Sequence, residues 1–544
     1  MQIHRPKPML LISEIARSVG IREDELSAYG PHKAKVSLAV LARLVGKPNG
    51  RLICVSGINP TKQGEGKTCT SIGLTQGLGQ LKKKAILCLR EPSLAPFLGN
   101  KGGATGNGNA QVLPQEDINL HFTGDIHAVE LATNLLAAAI DNHRHHGNKL
   151  KIDEHQVFWR RSLDICDRQL REVIVGAAKE SHEEKYKTPF EITPASEVMS
   201  ILSLSTSITD LKQRLGDIII GLNTDGEPVR ARDLKASGAM TALLKDALQP
   251  NLVQTSEGQA VFVHTGPFAN VSHGNNSLAA TLTALKLAQY VVTESGFGTD
   301  LGMQKLFDVV LPNVPDVKPS VVVLVVTVKA LKGHSKDSSS FELGFKNLDK
   351  HVSNIRNYGI EPVVCINRFP QDSDSEMVIL KSYLQSQNVP HAVCTAVRDG
   401  GKGAIELAEV VIEAASKKTS DFRRFVDPKL SPEDKIRLIA QRMYGARDIA
   451  LSEKAKKDLE LVARLGLNHY PVNIAKNPFS LSDNPEDKGA PTDWKLPVRG
   501  VRICAGARYL VILTGKLLLM PGMPESPLFE KIDVTDDGYM TIAD

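Results

Sequence analysis

Four residues that lie close together in the chain, Gly64, Gly66, Lys67 and Thr68, have the types and spacing of a phosphate-binding turn. An apolar run typical of a buried strand precedes them, and a helical pattern follows. A glycine-rich turn in this setting presents backbone N–H groups and the positive end of a helix to a phosphate. Lys67 can then reach the outer phosphates, and Thr68 can hold Mg²⁺. This glycine turn, residues 57–68, therefore predicts binding of a nucleoside triphosphate.

The glycine turn departs at one position from the general pattern G-x-x-x-x-G-K-[ST], because Thr61 stands where that pattern has glycine. The alternative interpretation is an ordinary glycine-rich connection in which Lys67 is exposed to solvent. The order strand, turn, helix favours the phosphate site, since it supplies both the amides and the helix end.

Length and composition restrict the class of protein. A chain of 544 residues is too long for one core, which predicts two to four domains. Its 66 basic and 61 acidic residues give a net charge of +5, which predicts neither a nucleic-acid nor a membrane partner. Such an excess suits anionic substrates if it lies in a cleft. Seven cysteines without a C-x-x-C pair predict free thiols in a reducing compartment. We therefore expect a cytoplasmic enzyme, with the mitochondrial matrix as the alternative.

The chain alternates between strand and helix patterns, and its β-branched runs are continuous, which is typical of strands buried on both faces. This rhythm predicts an α/β fold with a mostly parallel sheet, in which ligands lie beyond the C-terminal strand ends. The predicted strands are 52–56, 85–89, 217–221, 260–264, 290–293, 320–328 and 362–367, and the predicted helices include 68–81, 128–140 and 277–288. We expect a large domain at 1–350 and two smaller α/β or α+β domains at 351–460 and 461–544.

Other charged residues follow these predicted strands or precede helices. Arg90 ends the strand after the glycine turn, so its fork would point toward Lys67 and bind a small anion, whereas the alternative is a surface arginine beside a flexible loop. Asp125 lies in an acidic and histidine-rich segment before a helix. It could help to hold a cation or could cap the helix.

Aromatic residues next to glycine or proline also follow predicted strands, as at Phe297 and Phe369. Such residues can cover a flat ring such as adenine, although each residue alone is more often part of ordinary core packing. No Ser-His-Asp order, nucleophile elbow or Cys-His pair is evident. The sequence therefore favours phosphoryl chemistry by positioning and charge, without a covalent enzyme intermediate.

Taken together, these motifs are similar in order and spacing to one family. The chain resembles the formate–tetrahydrofolate ligase family over nearly its whole length, and Thr61 is that family's own form of the turn. The similar segments are the glycine turn, 29–40, 90–93, 116–128, 238–254, 268–274, 293–300, 367–370, 439–446, 474–485 and 520–524.

The resemblance implies a two-step ligation. ATP phosphorylates formate to formyl phosphate, and N10 of tetrahydrofolate then attacks the formyl carbon and releases phosphate. The reaction needs a closed cleft because the mixed anhydride must be kept from water. The resemblance also implies Mg²⁺, an activating monovalent cation (K⁺ or NH₄⁺), and a homotetramer.

The resemblance implies roles for individual residues of this chain. Lys67 and Arg90 would be the catalytic pair that steadies the transferred phosphoryl group and formyl phosphate. The implied ligand sites are Gly64, Glu65, Gly66, Lys67, Thr68, Ala269 and Phe297 for ATP; Thr68 for Mg²⁺; Glu91 and Asp125 for the monovalent cation; and Phe369, Pro370 and Val397 for folate. The first domain would then carry the nucleotide and formyl phosphate site, and the second would contribute to the folate pocket.

The chain departs from the family pattern near the expected pterin ring. Val397 aligns with the family's tryptophan opposite Phe369, and Asn109 stands in place of a tyrosine. Losing one stacking face costs about 1–3 kcal/mol, which weakens folate binding without abolishing it. Two alternatives remain: a divergent ligase that forms an acyl phosphate for another amine, and an inactive nucleotide-binding paralogue with a regulatory role.

Overall fold

The structure is a computed structural model of the chain, and it describes residues 2–3, 8–61, 64–101, 103–176, 185–335, 340–417, 421–515 and 518–543. Lys62 and Gln63 of the glycine turn lie outside these described residues. All seven cysteines lie within them and are unpaired thiols.

A twelve-stranded sheet forms the centre of the described structure. Its strands are β1 (Leu26–Ala28), β2 (Ala34–Val36), β3 (Arg51–Gly57), β4 (Ala85–Leu89), β5 (Gly106–Asn107), β6 (Ala110–Leu113), β7 (Asn251–Thr255), β8 (Ala260–Val263), β9 (Tyr290–Gly298), β10 (Pro319–Val326), β11 (Pro362–Asn367) and β12 (His391–Cys394).

The spatial order of the sheet is β1-β2-β7-β8-β4-β9-β3-β10-β11-β12, while β6 pairs with β7 and with β5. Every neighbouring pair from β8 to β12 is parallel. The remaining pairs are antiparallel. The predicted α/β fold with a mostly parallel sheet is therefore confirmed, and the C-terminal ends of the parallel strands share one edge.

Helices cover both faces of the sheet, which explains the continuous apolar strands. On β3, Ile53 and Val55 share one core cluster with Ile72, whereas Leu52 and Cys54 share the other with Leu285. The α-helices of eight residues or more in the described ranges are α1 (Ile12–Val19), α2 (Lys67–Gln80), α3 (Asp125–His145), α4 (Glu197–Leu204), α5 (Ile208–Asp217), α6 (Ser237–Leu244), α7 (Leu278–Leu287), α8 (Glu342–Arg356), α9 (Asp374–Ser386), α10 (Ile405–Ser416), α11 (Pro432–Ile439) and α12 (Glu453–Arg464).

One predicted strand lies elsewhere than expected. Residues 217–221 were predicted as a strand of the parallel sheet, but α5 continues through Asp217 and the strand is Ile219–Asn223. It pairs antiparallel with Ile152–Val157 and Pro228–Arg230 in a separate small sheet. A short apolar run predicts burial, and it does not specify which sheet provides that burial.

The C-terminal part of the chain forms a further three-stranded sheet from Val472–Ala475, Gly500–Cys504 and Tyr509–Leu513. The central sheet includes β11 and β12, which follow the domain boundary predicted at residue 350. The division into three domains stays a prediction. Among the described helices, none combines the length and the apolar character needed to cross a membrane.

Candidate active site

The glycine turn leaves the C-terminal end of β3, between β9 and β10, and leads into α2. Gly66 is the N-cap of α2 with φ 69°, and Gly64 has φ 79°. Both values lie in the left-handed region that favours glycine. A Cβ atom on Gly66 would also stand 2.5 Å from Nδ2 of Asn367, which is too close. The local structure therefore requires glycine at this position.

The backbone N–H groups of residues 65–68 donate to no other described residue. They include the first N–H groups of α2, which have no acceptor within the helix. Asn367 supports the turn from outside, because its Nδ2 donates to the carbonyl oxygen of Glu65 at 3.0 Å. The amides of the turn are thus available to an anion.

The side chain of Glu65 is engaged by protein. Its carboxylate accepts a hydrogen bond from the backbone N–H of Thr61 at 2.6 Å and another from the hydroxyl of Thr327, which follows β10. Glu65 was predicted among the ATP-binding residues. In the structure its side chain stabilises the conformation of the turn, and its backbone N–H group has no acceptor among the described residues.

Lys67 and Arg90 reach the same edge of the sheet from strands on either side of β9. The Lys67 side chain runs back over Gly57, since its Cδ lies 3.2 Å from the position of a Cβ there. One terminal nitrogen of Arg90 lies 3.4 Å from the Cβ position of Gly296, and the other donates to the carbonyl of Pro267 at 3.1 Å. The two cations are close enough for the charge of Arg90 to lower the pKa of Lys67.

Glu294 of β9 is the carboxylate common to both cations. Burial lowers the pKa of Lys67 and the charge of Arg90 lowers it further, whereas Glu294 raises it. Burial also lowers the pKa of Arg90, and Glu294 again opposes the shift. Glu294 is 8% exposed, and its Oε2 has no hydrogen-bond partner in the described part of the chain. One carboxylate between two cations leaves a net positive charge, which suits a small anion.

The two residues predicted at the adenine end lie beside Arg90. Ala269 is only 2% exposed, because its methyl group packs where Gly274 and Gly296 have no side chain. Phe297 is half-buried and has φ 58°, an unusual value for an aromatic residue and a form of local strain. Ala269 thus has almost no surface for contact with a ligand, whereas part of the Phe297 side chain is accessible.

A buried lysine fixes the segment that carries Ala269. Nζ of Lys305 donates to the carbonyl oxygens of Ala269 at 2.6 Å and Ser272 at 3.0 Å. Burial lowers the pKa of Lys305 to about 7, although the charge of Asp300 opposes the shift. Lys305 was not predicted from the sequence, because its role depends on carbonyl groups distant in the chain.

The two carboxylates predicted for the monovalent cation lie near Lys35. Asp125 accepts hydrogen bonds from Nζ of Lys35 at 2.7 and 2.9 Å and from Nδ2 of Asn251 at 2.8 Å. It is the first residue of α3, whose N-cap is Gly124. The alternative that Asp125 caps this helix is therefore wrong, because Lys35 and Asn251 bind its carboxylate instead.

Glu91 completes this acidic site. It is 4% exposed, and its Oε2 has no hydrogen-bond partner among the described residues. Burial raises the pKa of Glu91 well above its ordinary value, and the charge of Asp125 raises it further, while Lys35 opposes the shift. The buried Glu91 oxygen without a partner lies near a carboxylate that already binds Lys35, and carboxylate oxygens of this kind fit a monovalent cation. No group of three or more metal-ligating side chains occurs in the described ranges.

The expected pterin wall adjoins the glycine turn. Phe369 follows β11, and its Cζ lies 4.0 Å from the Cβ position of Gly66. The backbone N–H of Phe369 donates to Asp372 at 2.8 Å, which holds the ring at the end of the strand, and Pro370 is exposed. The structure thus brings Phe369 next to the glycine turn.

Comparison with known proteins agrees with this arrangement. A family model described as formate–tetrahydrofolate ligase matches residues 1–542. A protein named formate–tetrahydrofolate ligase from Methylibium petroleiphilum is 46% identical over 552 aligned residues, which cover 99% of this chain and 98% of the relative. The chain belongs to the formate–tetrahydrofolate ligase family. The resemblance seen in the sequence is therefore confirmed, and the chain is an enzyme of a ligase family.

Two positions at which the chain departs from the expected pattern of the formate–tetrahydrofolate ligase family contact each other. The backbone N–H of Asn109 donates to the carbonyl oxygen of Val397 at 2.8 Å, and its Nδ2 donates to the carbonyl of Arg398 at 2.6 Å. Val397 also packs against Gly108, where a Cβ would stand 2.1 Å from its carbonyl oxygen. The two departures therefore belong to one local change at the end of β12.

Proposed function

We propose that the chain ligates formate to tetrahydrofolate at the expense of ATP, through formyl phosphate, giving 10-formyltetrahydrofolate, ADP and phosphate. One observation carries the proposal: Lys67 and Arg90 approach the same edge of the sheet around Glu294, beside amides that donate to no other described residue. A phosphoryl group between two cations matches this charge.

Each group has a role in this proposal. The amides of residues 65–68 bind the phosphates of ATP, and Lys67 and Arg90 stabilise the charge on the phosphoryl group during transfer to formate. Thr68, half-buried at the start of α2, would hold Mg²⁺ together with phosphate oxygens. Mg²⁺ would neutralise part of the phosphate charge. Ala269 and Phe297 lie at the adenine end, with Phe297 as the ring contact.

Formyl phosphate then reacts with tetrahydrofolate, the second substrate. Phosphate is a far better leaving group than hydroxide, so N10 of tetrahydrofolate can attack the formyl carbon. Phe369 and Pro370 form one wall of the pterin pocket, and Val397 lies on the other side. The short distance from Phe369 to Gly66 supports transfer within one cleft.

We also propose a cation, an assembly and a compartment for this enzyme. Glu91 and Asp125 would hold K⁺ or NH₄⁺, because a buried oxygen of Glu91 has no hydrogen-bond partner among the described residues. The enzyme acts as a homotetramer, as the resemblance implies. It acts in the cytoplasm, with the mitochondrial matrix as the alternative.

A different amine acceptor is the second candidate. The contact between Asn109 and Val397 favours it, because two expected aromatic side chains are absent from the same corner of the pocket. The acyl-phosphate step would be unchanged, since the Lys67 and Arg90 region contains no such departure. An inactive nucleotide-binding paralogue has no specific support in the structure.

One set of assays separates these functions. Purified protein is mixed with ATP, Mg²⁺, K⁺ and formate, with and without tetrahydrofolate, and ADP and 10-formyltetrahydrofolate are measured. The proposal predicts folate-dependent formation of both products. ADP formation that requires formate and ignores folate would indicate another acceptor. ATP binding without either product would indicate the inactive paralogue.

A further inference from the structure

Four basic residues lie together at the edge of the central sheet opposite to Lys67 and Arg90. A shallow cavity of about 460 Å³ opens where β3, β4 and β9 begin. Its basic lining residues are Lys47, Arg51, Lys83 and Lys84, and no acidic residue is among its described lining residues. We call this cavity the basic pocket. Its volume lies within the range of ordinary small-molecule sites.

The four cations of the basic pocket are uncompensated. All four side chains are exposed, and within the described part of the chain none forms an ion pair or donates a hydrogen bond. Burial lowers the pKa of Lys84, and the charge of Lys47 lowers it further. The fold therefore holds like charges together, and a bound anion would relieve their repulsion.

Lys286 lies next to the basic pocket but is not one of its lining residues. Nζ of Lys286, in the last turn of α7, donates to the carbonyl oxygens of Lys47 at 2.5 Å and Val45 at 3.4 Å. A cation at this position stabilises the end of a helix. Stabilisation of α7 thus accounts for Lys286 and leaves the pocket cations unexplained.

The basic pocket is separate from the proposed nucleotide site. It lies at the N-terminal edge of the parallel strands, whereas the glycine turn lies at the C-terminal edge. The seven residues of β3 span about 20 Å between the two edges. No contact at the glycine turn can therefore account for the charge in the pocket.

We infer that the basic pocket binds a small anion that carries several negative charges on adjacent oxyanion groups. The Arg51 fork can bind two oxygens of one such group, while Lys47, Lys83 and Lys84 act as point charges around the rest. Pro48 and Leu287 contribute apolar surface to the lining. Oligophosphates and oligocarboxylates share this chemistry.

Binding to the full chain tests the inference. Tripolyphosphate and citrate are titrated separately, by calorimetry, into the unchanged protein, Lys83→Gln/Lys84→Gln, and the matched surface variant Lys456→Gln/Lys457→Gln. We expect at least one anion to bind the unchanged protein and the surface variant alike. Binding should weaken by about tenfold in Lys83→Gln/Lys84→Gln, the expected loss of two exposed ion contacts. The anion that responds identifies the source.

A Lys67→Ala variant separates this site from the proposed nucleotide site. The basic pocket should keep its anion when Lys67 is removed, while ATP binding should fall. Equal anion binding by Lys83→Gln/Lys84→Gln and the unchanged protein, or an equal loss in the surface variant, would overturn the inference. Unchanged ATP binding in Lys67→Ala would instead count against the proposed ligase and leave the pocket intact. All substituted lysines of the two double variants are exposed, and circular dichroism checks that the variants fold.

Discussion

Nζ of Lys476 lies 2.9 Å from Oδ2 of Asp300, and neither side chain has exposed surface. Asp300 follows β9, and Lys476 follows the C-terminal strand Val472–Ala475. Nδ2 of Asn59, at the start of the glycine turn, lies 3.4 Å from the same Asp300 oxygen. The buried ion pair therefore joins the C-terminal part of the chain to the turn.

Replacing Lys476 by methionine should destabilise the protein and weaken ATP binding. Asp300 would remain buried without its partner, a change that typically costs about 3–5 kcal/mol. Urea unfolding measures the free energy of unfolding, and equilibrium titration measures ATP affinity. Lys476→Met/Asp300→Asn should recover part of the lost stability, because the uncompensated charge is gone.

Lys435→Met is the matched control. Nζ of Lys435 is also buried, and among the described residues it donates only to carbonyl oxygens, those of Asn468 at 2.7 Å and Tyr470 at 3.0 Å. This variant should lose stability without loss of ATP affinity in the protein that remains folded. An equal loss of ATP affinity in both variants would show that the ion pair has no special connection to the glycine turn.

Replacing Lys67 or Arg90 by methionine should abolish most activity while the fold remains. Formate-dependent ADP formation should fall by about 100-fold or more, as when a preorganised charge is removed from a phosphoryl-transfer site. Burial lowers the pKa of both cations, so an apolar side chain removes a desolvation cost and should not reduce the free energy of unfolding. Lys245→Met, at an exposed position on the surface, should keep normal rates. Near-normal rates in Lys67→Met would contradict the assigned role.

Glu91→Gln should remove a specific stabilisation by K⁺. The folded-state pKa of Glu91 is raised, so its contribution to stability is present at low pH and is lost as pH rises through that folded value. A cation beside the carboxylate offsets this loss. At pH 8 and a K⁺ concentration about ten times its Kd, the unchanged protein should gain about 1.4 kcal/mol in free energy of unfolding. The variant should gain much less.

Two controls accompany the K⁺ titration. Tetramethylammonium at the same ionic strength carries the same charge on a much larger ion and should stabilise neither protein specifically. Glu197→Gln changes another buried glutamate, whose carboxylate accepts the N–H groups of Gly506 and Ala507, and it should keep the K⁺ response. A K⁺ response in Glu91→Gln equal to that of the unchanged protein would exclude Glu91 as a ligand.

Val397→Trp should tighten folate binding. An aromatic face opposite Phe369 adds about 1–3 kcal/mol of stacking, which corresponds to about 5- to 150-fold in the tetrahydrofolate Kd. Fluorescence titration measures that Kd. Val378→Trp, at an exposed position on α9, adds the same side chain outside the pocket and should leave the Kd unchanged. Weaker or unchanged binding in Val397→Trp would place Val397 outside the pterin pocket.

Several features were predictable from the sequence because they depend on local patterns. The continuous apolar runs identified β3, β4 and β11 nearly to the residue, since strands buried on both faces leave no alternation. The glycines, Lys67 and Thr68 identified the turn, because left-handed backbone and a helix start have strong local preferences. Arg90 was predicted from its place at the end of the next strand.

The functional neighbours of these residues were not predictable in the same way. Glu294 followed the predicted strand 290–293 and was assigned no role of its own. Its position near Lys67 and Arg90 depends on the order in which β4, β9 and β3 pair. Lys35 occurs in a short buried strand, and a lysine between two apolar residues could have indicated a buried ion pair. Asp125 accordingly had an open alternative as a helix cap.

The sequence by itself determined the family, the α/β fold, and the glycine turn with Lys67 and Arg90. Each of these depends on residue types a few positions apart or on their order along the chain. Only the tertiary structure decided that Lys35 binds Asp125, that Asn109 contacts Val397, and that Lys476 lies against Asp300. Strand pairing over hundreds of residues sets these contacts, and the desolvation of each charge depends on everything packed around it.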